Sequence, residues 1–291
     1  MSSKVSNTAY GVAKARCVEM FYPLEQRLFE DPYSIKFLPT STRMLTRMMR
    51  WSWVRDFFLW LSELMVPGLT GGMLCRTRYI DDILQQCLDD GIKIIINLGA
   101  GLDTRGFRLP ALANTTYYEV DQAEIIEFKR TKIEEWYGSV PDHLHLVAVN
   151  FQNQLVEGRL CAEGLQREER ALFILEGLIQ YITPEAFHDL LKFLSQAADN
   201  SRVVFTYPMQ DFINGSKDYG KINRLIKFAK RSGLAQNNGL LPATLPEVLG
   251  PYSLEMIEDV GAEDYQHTFL KKLNRKINVW AIERVAFARV R

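Results

Sequence analysis

Two glycines and an acidic residue stand directly after neighbouring apolar segments of the chain. Gly99 and Gly101 follow the apolar run 92–98 (IKIIINL), and Asp121 closes the next apolar segment, twenty residues after Gly101. Glycine allows a sharp turn and a close approach of the backbone to a ligand. A carboxylate at the end of the second strand can accept hydrogen bonds from both hydroxyls of a ribose. Because ligands collect beyond the carboxyl ends of parallel strands, we expect these residues to border one site.

The residues after Gly101 restrict the kind of ligand. A dinucleotide site is expected to show G-x-G-x-x-G, in which the third glycine lies where a helix N-terminus meets a pyrophosphate. Here Thr104 stands at the third position, and the next glycine is Gly106. The pattern therefore disfavours a nicotinamide-dependent oxidoreductase. It favours an adenosine-containing ligand without a pyrophosphate, and S-adenosylmethionine meets that requirement.

The segments around this pattern alternate between strand-like and helix-like runs, which is typical of a mostly parallel sheet covered by helices. The apolar run at 92–98 predicts a central strand that is buried on both faces. Thr183 and Pro184 predict the N-cap and the first residue of a helix that extends to about 198, and apolar spacing predicts a helix over 79–88. The remaining predicted elements are strands at 115–121, 144–151, 171–176, 202–207, 253–260 and 277–287, and a helix at 262–273.

Three motifs connect these elements to a known family. The stretches NLGAGLDTRGFRL, EVDQ and ILEGLIQYITPEA resemble the leucine carboxyl methyltransferase family, including its broad bacterial branch, and the resemblance covers about 76–207. It implies an α/β, Rossmann-like class I methyltransferase fold, with a mostly parallel seven-stranded sheet and helices on both faces. It also implies the cofactor S-adenosylmethionine. We expect a helical cover over 1–75 and a methyltransferase domain over 76–291, with an insertion at about 209–251.

The resemblance also implies roles for individual residues. Arg76 matches an arginine that pairs with the methionine carboxylate of the cofactor, since a guanidinium forms a planar, two-bond match to that group. Asp121 matches the ribose-binding acid, and Glu176 an acid near the cofactor's amino group. Where the family usually has Asp-Leu at the adenine, this chain has Asn150-Phe151, and an asparagine can still accept a hydrogen bond. The expected cofactor-binding residues are Arg76, Gly99, Gly101, Asp121, Asn150, Phe151 and Glu176.

Several of these residues also have a purely structural interpretation. Arg76 could be a surface arginine, and Asp121 and Glu176 could cap helices or be ordinary loop acids. The pair His143 and His145 suggests a metal site, but alternation at the entrance of a strand explains it better. We therefore expect no metal.

The motifs say less about the group that receives the methyl. A carboxylate acceptor needs no general base, because its pKa of about 4 leaves it ionised at neutral pH, whereas a phenol or an alcohol needs one. The motifs contain no convincing base, so we expect O-methylation of a carboxyl or hydroxyl group of a small, rather hydrophobic molecule. The C-terminal carboxyl of a protein, and a role that binds cofactor without turnover, stay open as alternatives. Tyr181 and Tyr207 stand near strand ends, where a phenol could position a substrate.

Composition excludes several other classes of protein. The chain has 35 basic residues (lysine and arginine) and 35 acidic residues (aspartate and glutamate). It therefore has no large excess of positive charge, and nucleic-acid binding is not expected. Four cysteines lie far apart without a CxxC pair, and we expect them to be buried thiols in a reducing setting. The first residues lack the apolar core of a secretory signal, and no run reaches the roughly eighteen apolar residues of a membrane span. These features predict a cytoplasmic protein.

The segment 43–65 is both apolar and basic, and it has two interpretations. Arg43, Arg47 and Arg50 fall on one helical face, while Met, Trp, Phe and Leu fill much of the rest. In the first interpretation the segment is a lid helix packed over the core, with solvated arginines. In the second it contacts an anionic membrane surface or a partner. No pattern in the sequence indicates an oligomeric state.

Overall fold

A seven-stranded sheet forms the centre of the computed structural model, which describes residues 7–152, 154–222 and 238–291. Its strands are β1 (Ile94–Leu98), β2 (Thr116–Asp121), β3 (Leu144–Ala148), β4 (Ala171–Leu175), β5 (Arg202–Pro208), β6 (Leu254–Val260) and β7 (Glu283–Val290). They lie in the order β3-β2-β1-β4-β5-β7-β6. The first five strands pair in parallel, and β7 is antiparallel to both β5 and β6. The predicted fold class, an α/β class I methyltransferase sheet, is confirmed.

Strand β1 shows why the sheet is covered on both faces. All five of its residues are buried, and their side chains alternate between two apolar clusters. Ile94, Ile96 and Leu98 face one cluster, and Ile95 faces the other. A strand that buries both faces reads as a continuous apolar run, as 92–98 does.

Helices supply the cover on each side of the sheet. Leu74 and Ile80 of the long helix before β1 pack on one face, and Phe187 and Leu191 of the helix after β4 pack on the other. The α-helices of the described ranges are α1 (Asn7–Cys17), α2 (Ser34–Phe37), α3 (Thr40–Arg47), α4 (Ser52–Met65), α5 (Leu69–Asp89), α6 (Arg105–Arg108), α7 (Ala123–Tyr137), α8 (Val156–Ala162), α9 (Pro184–Ser195), α10 (Gln210–Ile213), α11 (Leu245–Leu249) and α12 (Ala262–Tyr265).

The N-terminal helices cover the loops at the carboxyl ends of β1 and β2. Cys17 of α1 and Phe37 of α2 share an apolar cluster with Leu102, which follows β1, and with Ile125 of α7. The predicted division between cover and methyltransferase domain, at 75/76, falls inside the continuous helix α5. One helix therefore belongs to both parts of the chain.

Helix α9 begins as the sequence predicts. The hydroxyl of Thr183 accepts a hydrogen bond from the N–H of Ala186 at 3.2 Å, and Pro184 is the first helical residue. The other helix predictions change in extent. The helix predicted over 79–88 begins at Leu69, and the one predicted over 262–273 is a single turn, Ala262–Tyr265, continued by a π-helical turn.

The segment 43–65 forms two helices instead of one. A 3-10 turn at Met48–Arg50 separates α3 from α4, and Trp51 is extended, with φ −84° and ψ 119°. Arg43 donates to the carbonyl oxygens of Lys36 and Leu38. It is therefore tied back to the chain, unlike the exposed Arg47 and Arg50.

The last strand begins later than predicted, at Glu283 rather than at 277. The residues before it pack against the start of α5 instead: the N–H of Trp280 donates to the carbonyl oxygen of Gly68 at 3.0 Å. A Cβ at Gly72 would lie 2.1 Å from Nε1 of Trp280, so glycine makes room for this indole. Side-chain packing, which the local apolar pattern does not reveal, keeps 277–282 out of the sheet.

Two further expectations are modified by the fold. Cys17, Cys75 and Cys87 are buried as predicted, but Cys161 is exposed, because it lies on the outer side of a short helix that buries Val156 and Leu160. The predicted insertion at 209–251 is described at its two ends, and its central part, 223–237, lies outside the described residues.

Within the described ranges, no single helix is long and apolar enough to cross a membrane. Helices α4 and α5 satisfy the length and composition criteria only as a pair, and they meet at 103°.

Candidate active site

A cavity of about 480 Å³ opens at the carboxyl ends of the parallel strands. The strand order reverses between β1 and β4, and sheets of this kind bind ligands at that point. All the predicted cofactor-binding residues line the cavity: Arg76, Gly99, Gly101, Asp121, Asn150, Phe151 and Glu176.

The two glycines after β1 serve different purposes. Gly99 has φ +74° and Gly101 has φ +48°, conformations that residues with a Cβ rarely adopt. A Cβ at Gly99 would lie 3.0 Å from Cδ1 of Leu178, whereas one at Gly101 would meet nothing nearer than 4.0 Å. Gly99 is thus required by packing, and Gly101 leaves space through which a ligand can approach the backbone.

Asp121 is held at the edge of the cavity by backbone donors. Its Oδ2 accepts from the N–H of Gly101 and its Oδ1 from the N–H of Gln122, both at 2.7 Å. Burial raises the pKa of Asp121 above its ordinary value, and the two N–H donors oppose that rise. Each carboxylate oxygen can accept a further hydrogen bond, so the group can bind a pair of hydroxyls.

Arg76 joins two carboxylates at the cavity wall. Its Nε donates to Glu176 at 2.9 Å, and its Nη1 donates to both oxygens of Glu283 at 2.7 and 2.9 Å. Although burial disfavours its charge, Glu283 and Glu176 raise the pKa of Arg76. Because the side chain is buried, the interpretation as a surface arginine is wrong.

The contacts of Arg76 also modify its predicted role. Only Nη2 has no hydrogen-bond partner among the residues that the structure describes. With Glu176 and Glu283 in these positions, Arg76 offers a ligand one nitrogen, so the expected two-bond match to a carboxylate is not available.

Glu283 reaches the site because β7 is antiparallel to the neighbouring strands β5 and β6. Glu283 pairs in register with Pro208, the last residue of β5. The beginning of an antiparallel strand thus lies at the same edge as the ends of the parallel strands. The sequence analysis missed Glu283, because it predicted a strand over 277–287 and so placed this residue in the middle of a strand rather than at its beginning.

Arg105 is the centre of a buried ionic network behind the cavity. It donates to Asp81 at 2.6 Å, to Asp103 at 2.5 Å and to Glu176 at 2.8 Å. Burial raises the pKa of Glu176, but Arg105 and Arg76 outweigh it and hold that pKa below its ordinary value. Glu176 therefore presents a negative charge to the cavity, which suits a cationic amino group.

Asn150 and Phe151 lie beyond the end of β3, where the adenine-binding pair was expected. The side-chain oxygen of Asn150 accepts from the N–H of Gln152 at 3.0 Å, and this oxygen has a second lone pair for a ligand. Phe151 packs against the apolar cluster on the same face as α9. Both residues line the cavity.

The two tyrosines considered for substrate positioning lie in different places. Tyr181 lines the cavity and is about one-third exposed. Tyr207 does not line it within the described part of the chain; its hydroxyl donates to Asp259 at 2.8 Å. The prediction for Tyr207 is wrong, because its buried side chain points toward β6 and the cavity edge of β5 is formed by Pro208.

Two polar residues that sequence reasoning missed also line the cavity. Arg16 of α1 donates through Nε to Asp31 at 2.9 Å and through Nη2 to the carbonyl oxygen of Leu102. Gln180 is buried, and its Oε1 has no hydrogen-bond partner among the described residues. Gln180 lies within the ILEGLIQYITPEA motif, whereas nothing in the local sequence distinguishes Arg16.

The rest of the lining is largely apolar and comes from other segments. Phe212 of α10, Ile222 and Ile282 form one small apolar cluster, and Trp280 packs against it. Met73 of α5 adds to this wall. Within the described residues, no member of 43–65 lines the cavity, so the lid interpretation does not place that segment over the site.

Two solved structures share the fold over nearly the whole chain. A DUF574 family protein from Streptomyces avermitilis MA-4680 has a TM-score of 0.59 and covers 95% of this chain and 97% of its own at 12% identity. A "putative methyltransferase" from Thermobifida fusca YX has a TM-score of 0.60, with 94% and 97% coverage, also at 12% identity. These likenesses show the fold, which is that of the class I methyltransferases.

The sequence comparison then identifies the family. Residues 9–195 match the family model of leucine carboxyl methyltransferase, and the chain belongs to this family. Family membership confirms the expected methyltransferase class and its cofactor, S-adenosylmethionine. The match begins at residue 9, so it includes the N-terminal helices that the motifs alone had left outside the resemblance.

Curated relatives are similar over most of the chain. "Putative S-adenosyl-L-methionine-dependent methyltransferase YktD" of Bacillus subtilis (strain 168) is 27% identical over 230 residues, which are 78% of this chain and 74% of that protein. A "Putative S-adenosyl-L-methionine-dependent methyltransferase" of Mycobacterium sp. (strain KMS) is 36% identical over 203 residues. These are 66% of this chain and 62% of that protein.

Proposed function

We propose that this methyltransferase transfers the methyl group of S-adenosylmethionine to a carboxyl group of a small, hydrophobic acid. The observation that carries the proposal is the composition of the cavity wall. Polar residues from the ends of β1, β2 and β4 meet an apolar wall formed by Met73, Phe212, Trp280 and Ile282.

The polar part of the wall fits the cofactor. Gly101 leaves open space beside the backbone, Asp121 has free lone pairs for ribose hydroxyls, and Arg76 has Nη2 available for the methionine carboxylate. Glu176 supplies the negative charge for the amino group. When bound, S-adenosylmethionine supplies an electrophilic methyl group on a sulfonium.

The ionisable residues of the wall favour an acceptor that needs no base. In the described part of the chain, no histidine, lysine or cysteine lines the cavity. Asp103 and Glu176 each accept from an arginine, which lowers their tendency to take a proton, and Glu283 accepts from Arg76. A carboxylate is already ionised at neutral pH, so the chain has only to orient it; holding the reacting atoms together supplies much of the rate enhancement.

Arg16 is placed to orient such an anion. It lies on the cavity wall, and Asp31 neutralises it on one side. A guanidinium that lines the cavity would align an acceptor carboxylate, and the apolar wall that contains Phe212 and Trp280 would contact the hydrocarbon part of the acceptor. A hydrophobic acid satisfies both parts of this wall.

The experiment is a transfer assay with methyl-labelled S-adenosylmethionine and matched pairs of substrates, a hydrophobic carboxylic acid and the corresponding alcohol or phenol. Methyl esters are cleaved by mild base and release labelled methanol, whereas methyl ethers are not. We expect base-labile product from the acids, and we expect Arg16→Gln to reduce its formation more than it reduces binding of S-adenosylhomocysteine.

Other outcomes would replace the proposal. A base-stable product would indicate a hydroxyl acceptor. Transfer to a peptide carboxyl terminus, but to no small acid, would indicate a protein substrate. Tight binding of S-adenosylhomocysteine without transfer to any acceptor would indicate a protein that binds cofactor without turnover.

We also propose that the enzyme works in the cytoplasm. All four cysteines are free thiols, as is usual in a reducing compartment. Fractionation of cells that express the tagged protein tests this location.

A further inference from the structure

Helices α3 and α4 carry most of the exposed apolar side chains of the described chain. Of the fifteen large apolar residues that are exposed, ten fall between residues 44 and 65. We call these ten residues the apolar surface: Met44, Leu45, Met48, Trp51, Trp53, Phe57, Trp60, Leu61, Leu64 and Met65. Contiguous exposed apolar surface of this kind marks an interaction site.

The apolar residues of α4 are arranged as one outward stripe. Trp53, Phe57, Trp60 and Leu64 recur at intervals of four, three and four, which places them on one side of a helix. Trp53 is 72% exposed and Trp60 is 56% exposed, whereas Val54, which lies outside the stripe, is 3% exposed. The helix therefore presents its aromatic face to the solvent.

Polar contacts hold α4 to the rest of the protein. Arg55 donates to the carbonyl oxygen of Phe21 at 2.8 Å and lies over the ring of Tyr22 at 4.1 Å. The hydroxyls of Ser62 and Thr70 are 3.2 Å apart. The outward direction of the stripe is thus fixed by contacts on the inner side of the helix.

Exposed positively charged side chains border the apolar surface. Arg47 and Arg50 are exposed, and Arg50 stacks on Trp51 at 4.4 Å. Beyond the other end of the stripe, Lys276 and Trp60 line a second cavity of about 350 Å³.

The two acidic residues of α4 already have partners. Asp56 pairs with Arg55 at 2.9 Å. Glu63 accepts from the N–H of Gly68 and from Asn278. The surface is therefore apolar in its middle and cationic at its ends.

We propose that the apolar surface docks on an anionic lipid bilayer, with α4 lying in the plane of the interface. Tryptophan favours the boundary between lipid and water, since its ring is apolar and its N–H is polar. Exposed arginines are attracted to anionic headgroups. A helix with this combination lies on a membrane rather than crossing it.

A second copy of the chain fits the surface less well. In a two-fold contact the same patch meets itself, so Arg47 and Arg50 of one copy would lie near either the same arginines or Lys276 of the other copy. Like charges placed together oppose association, whereas a negatively charged bilayer attracts the same arginines.

The experiment is cosedimentation of the full chain with vesicles. One set contains phosphatidylcholine alone, and the other contains equal parts of phosphatidylcholine and phosphatidylglycerol. We expect the protein to pellet with the anionic vesicles. The double variant Trp53→Ser/Trp60→Ser should lose this binding, and Arg47→Gln/Arg50→Gln should weaken it by roughly fivefold for each arginine replaced.

Matched controls change exposed residues away from the surface. Leu155, the residue before α8, is 74% exposed, and the side chain of Lys192 on α9 is 66% exposed. Leu155→Ser and Lys192→Gln should pellet like the wild type. Far-ultraviolet circular dichroism should be unchanged in all variants, because every altered side chain is exposed.

Three results would overturn the proposal. The first is a wild-type chain that stays in the supernatant with anionic vesicles. The second is a tryptophan double variant that pellets as well as the wild type. The third is a dimer, seen by sedimentation velocity without lipid, that dissociates in the tryptophan double variant while neither protein binds vesicles.

Discussion

The carboxylates around the cavity differ in what already binds them. Among the described residues, Asp121 accepts only from backbone N–H groups, whereas Glu176 and Glu283 both accept from arginines. A ligand hydroxyl can therefore bind Asp121 without displacing an ion pair. Arg76 has two nitrogens engaged with these carboxylates, and among the described residues its Nη2 has no partner.

Replacing Asp121 by alanine should weaken the binding of S-adenosylhomocysteine. The loss should be about 1–3 kcal/mol, because hydrogen bonds from the ribose to a charged acceptor disappear. Titration calorimetry measures it. Glu124→Ala is the matched control, since Glu124 also lines the cavity but is exposed. Equal affinities for Asp121→Ala and the wild type would remove the ribose assignment.

Replacing Arg76 by lysine should affect the amino-acid part of the cofactor selectively. Lysine keeps the charge but has no planar fork, so it cannot hold Glu176 and Glu283 while it binds a third carboxylate. We expect about 1.5–3 kcal/mol weaker binding of S-adenosylhomocysteine, with the affinity for adenosine unchanged. Titration with both ligands distinguishes this from a structural role, in which both affinities would fall together.

At the scale of elements, the site depends on strand ends that share one edge of the sheet. Strands β1, β2 and β4 end beside the cavity, where Gly99, Asp121 and Glu176 line it. The antiparallel β7 brings its first residue, Glu283, to the same edge. The turn after β1 then passes between Leu178 and the cavity. That turn contains Gly99 and Gly101.

Alanine substitutions at the two glycines should have different effects. Both positions have positive φ, which costs roughly 1–2 kcal/mol for a residue with a Cβ. Gly99→Ala should lose roughly 1–3 kcal/mol more, because its Cβ would lie 3.0 Å from Leu178. Gly101→Ala should mainly weaken binding of S-adenosylhomocysteine. Thermal unfolding and calorimetry test the two effects; equal losses of stability would contradict the packing argument.

At the scale of the whole molecule, a buried ion pair links the central sheet to a covering helix. Glu119 of β2 and Lys129 of α7 are 2.6 Å apart, and both side chains are fully buried. Burial raises the pKa of Glu119 from 4.5 to about 7, although Lys129 lowers it. A buried pair of this kind links the stability of the fold to pH.

Glu119→Gln should change the pH dependence of unfolding. The folded state binds the proton of Glu119 more tightly than the unfolded state does. The stabilising contribution of this group is therefore complete below pH 4.5 and is lost as the pH rises to about 7. Glutamine does not titrate, so the Tm of the wild type minus that of the variant should decline over this interval and be constant above it.

The control for this measurement is Glu134→Gln, since Glu134 is exposed on the same helix as Lys129. Its Tm should run parallel to that of the wild type at every pH. A constant difference between the wild type and Glu119→Gln from pH 4.5 to about 7 would show that Glu119 stays ionised throughout.

The local sequence predicts the sheet and the cofactor-binding loops. Apolar runs predict strands, and glycines and the acid at the end of β2 predict the turns that follow them. The strand order then places Gly99, Gly101 and Asp121 together, because parallel strands end at one edge. These parts of the site follow from residues that are close in the sequence or in equivalent positions of neighbouring strands.

Other features were decided only by tertiary structure. The bond between Arg76 and Glu283, and the place of Arg16 on the cavity wall, join residues that are far apart in the sequence. Tyr207 points away from the cavity although it directly precedes Pro208, the last residue of the same strand. The outward face of α4 is set by the contacts of Arg55. Such contacts depend on how elements pack, and a local pattern of residue types does not contain that information.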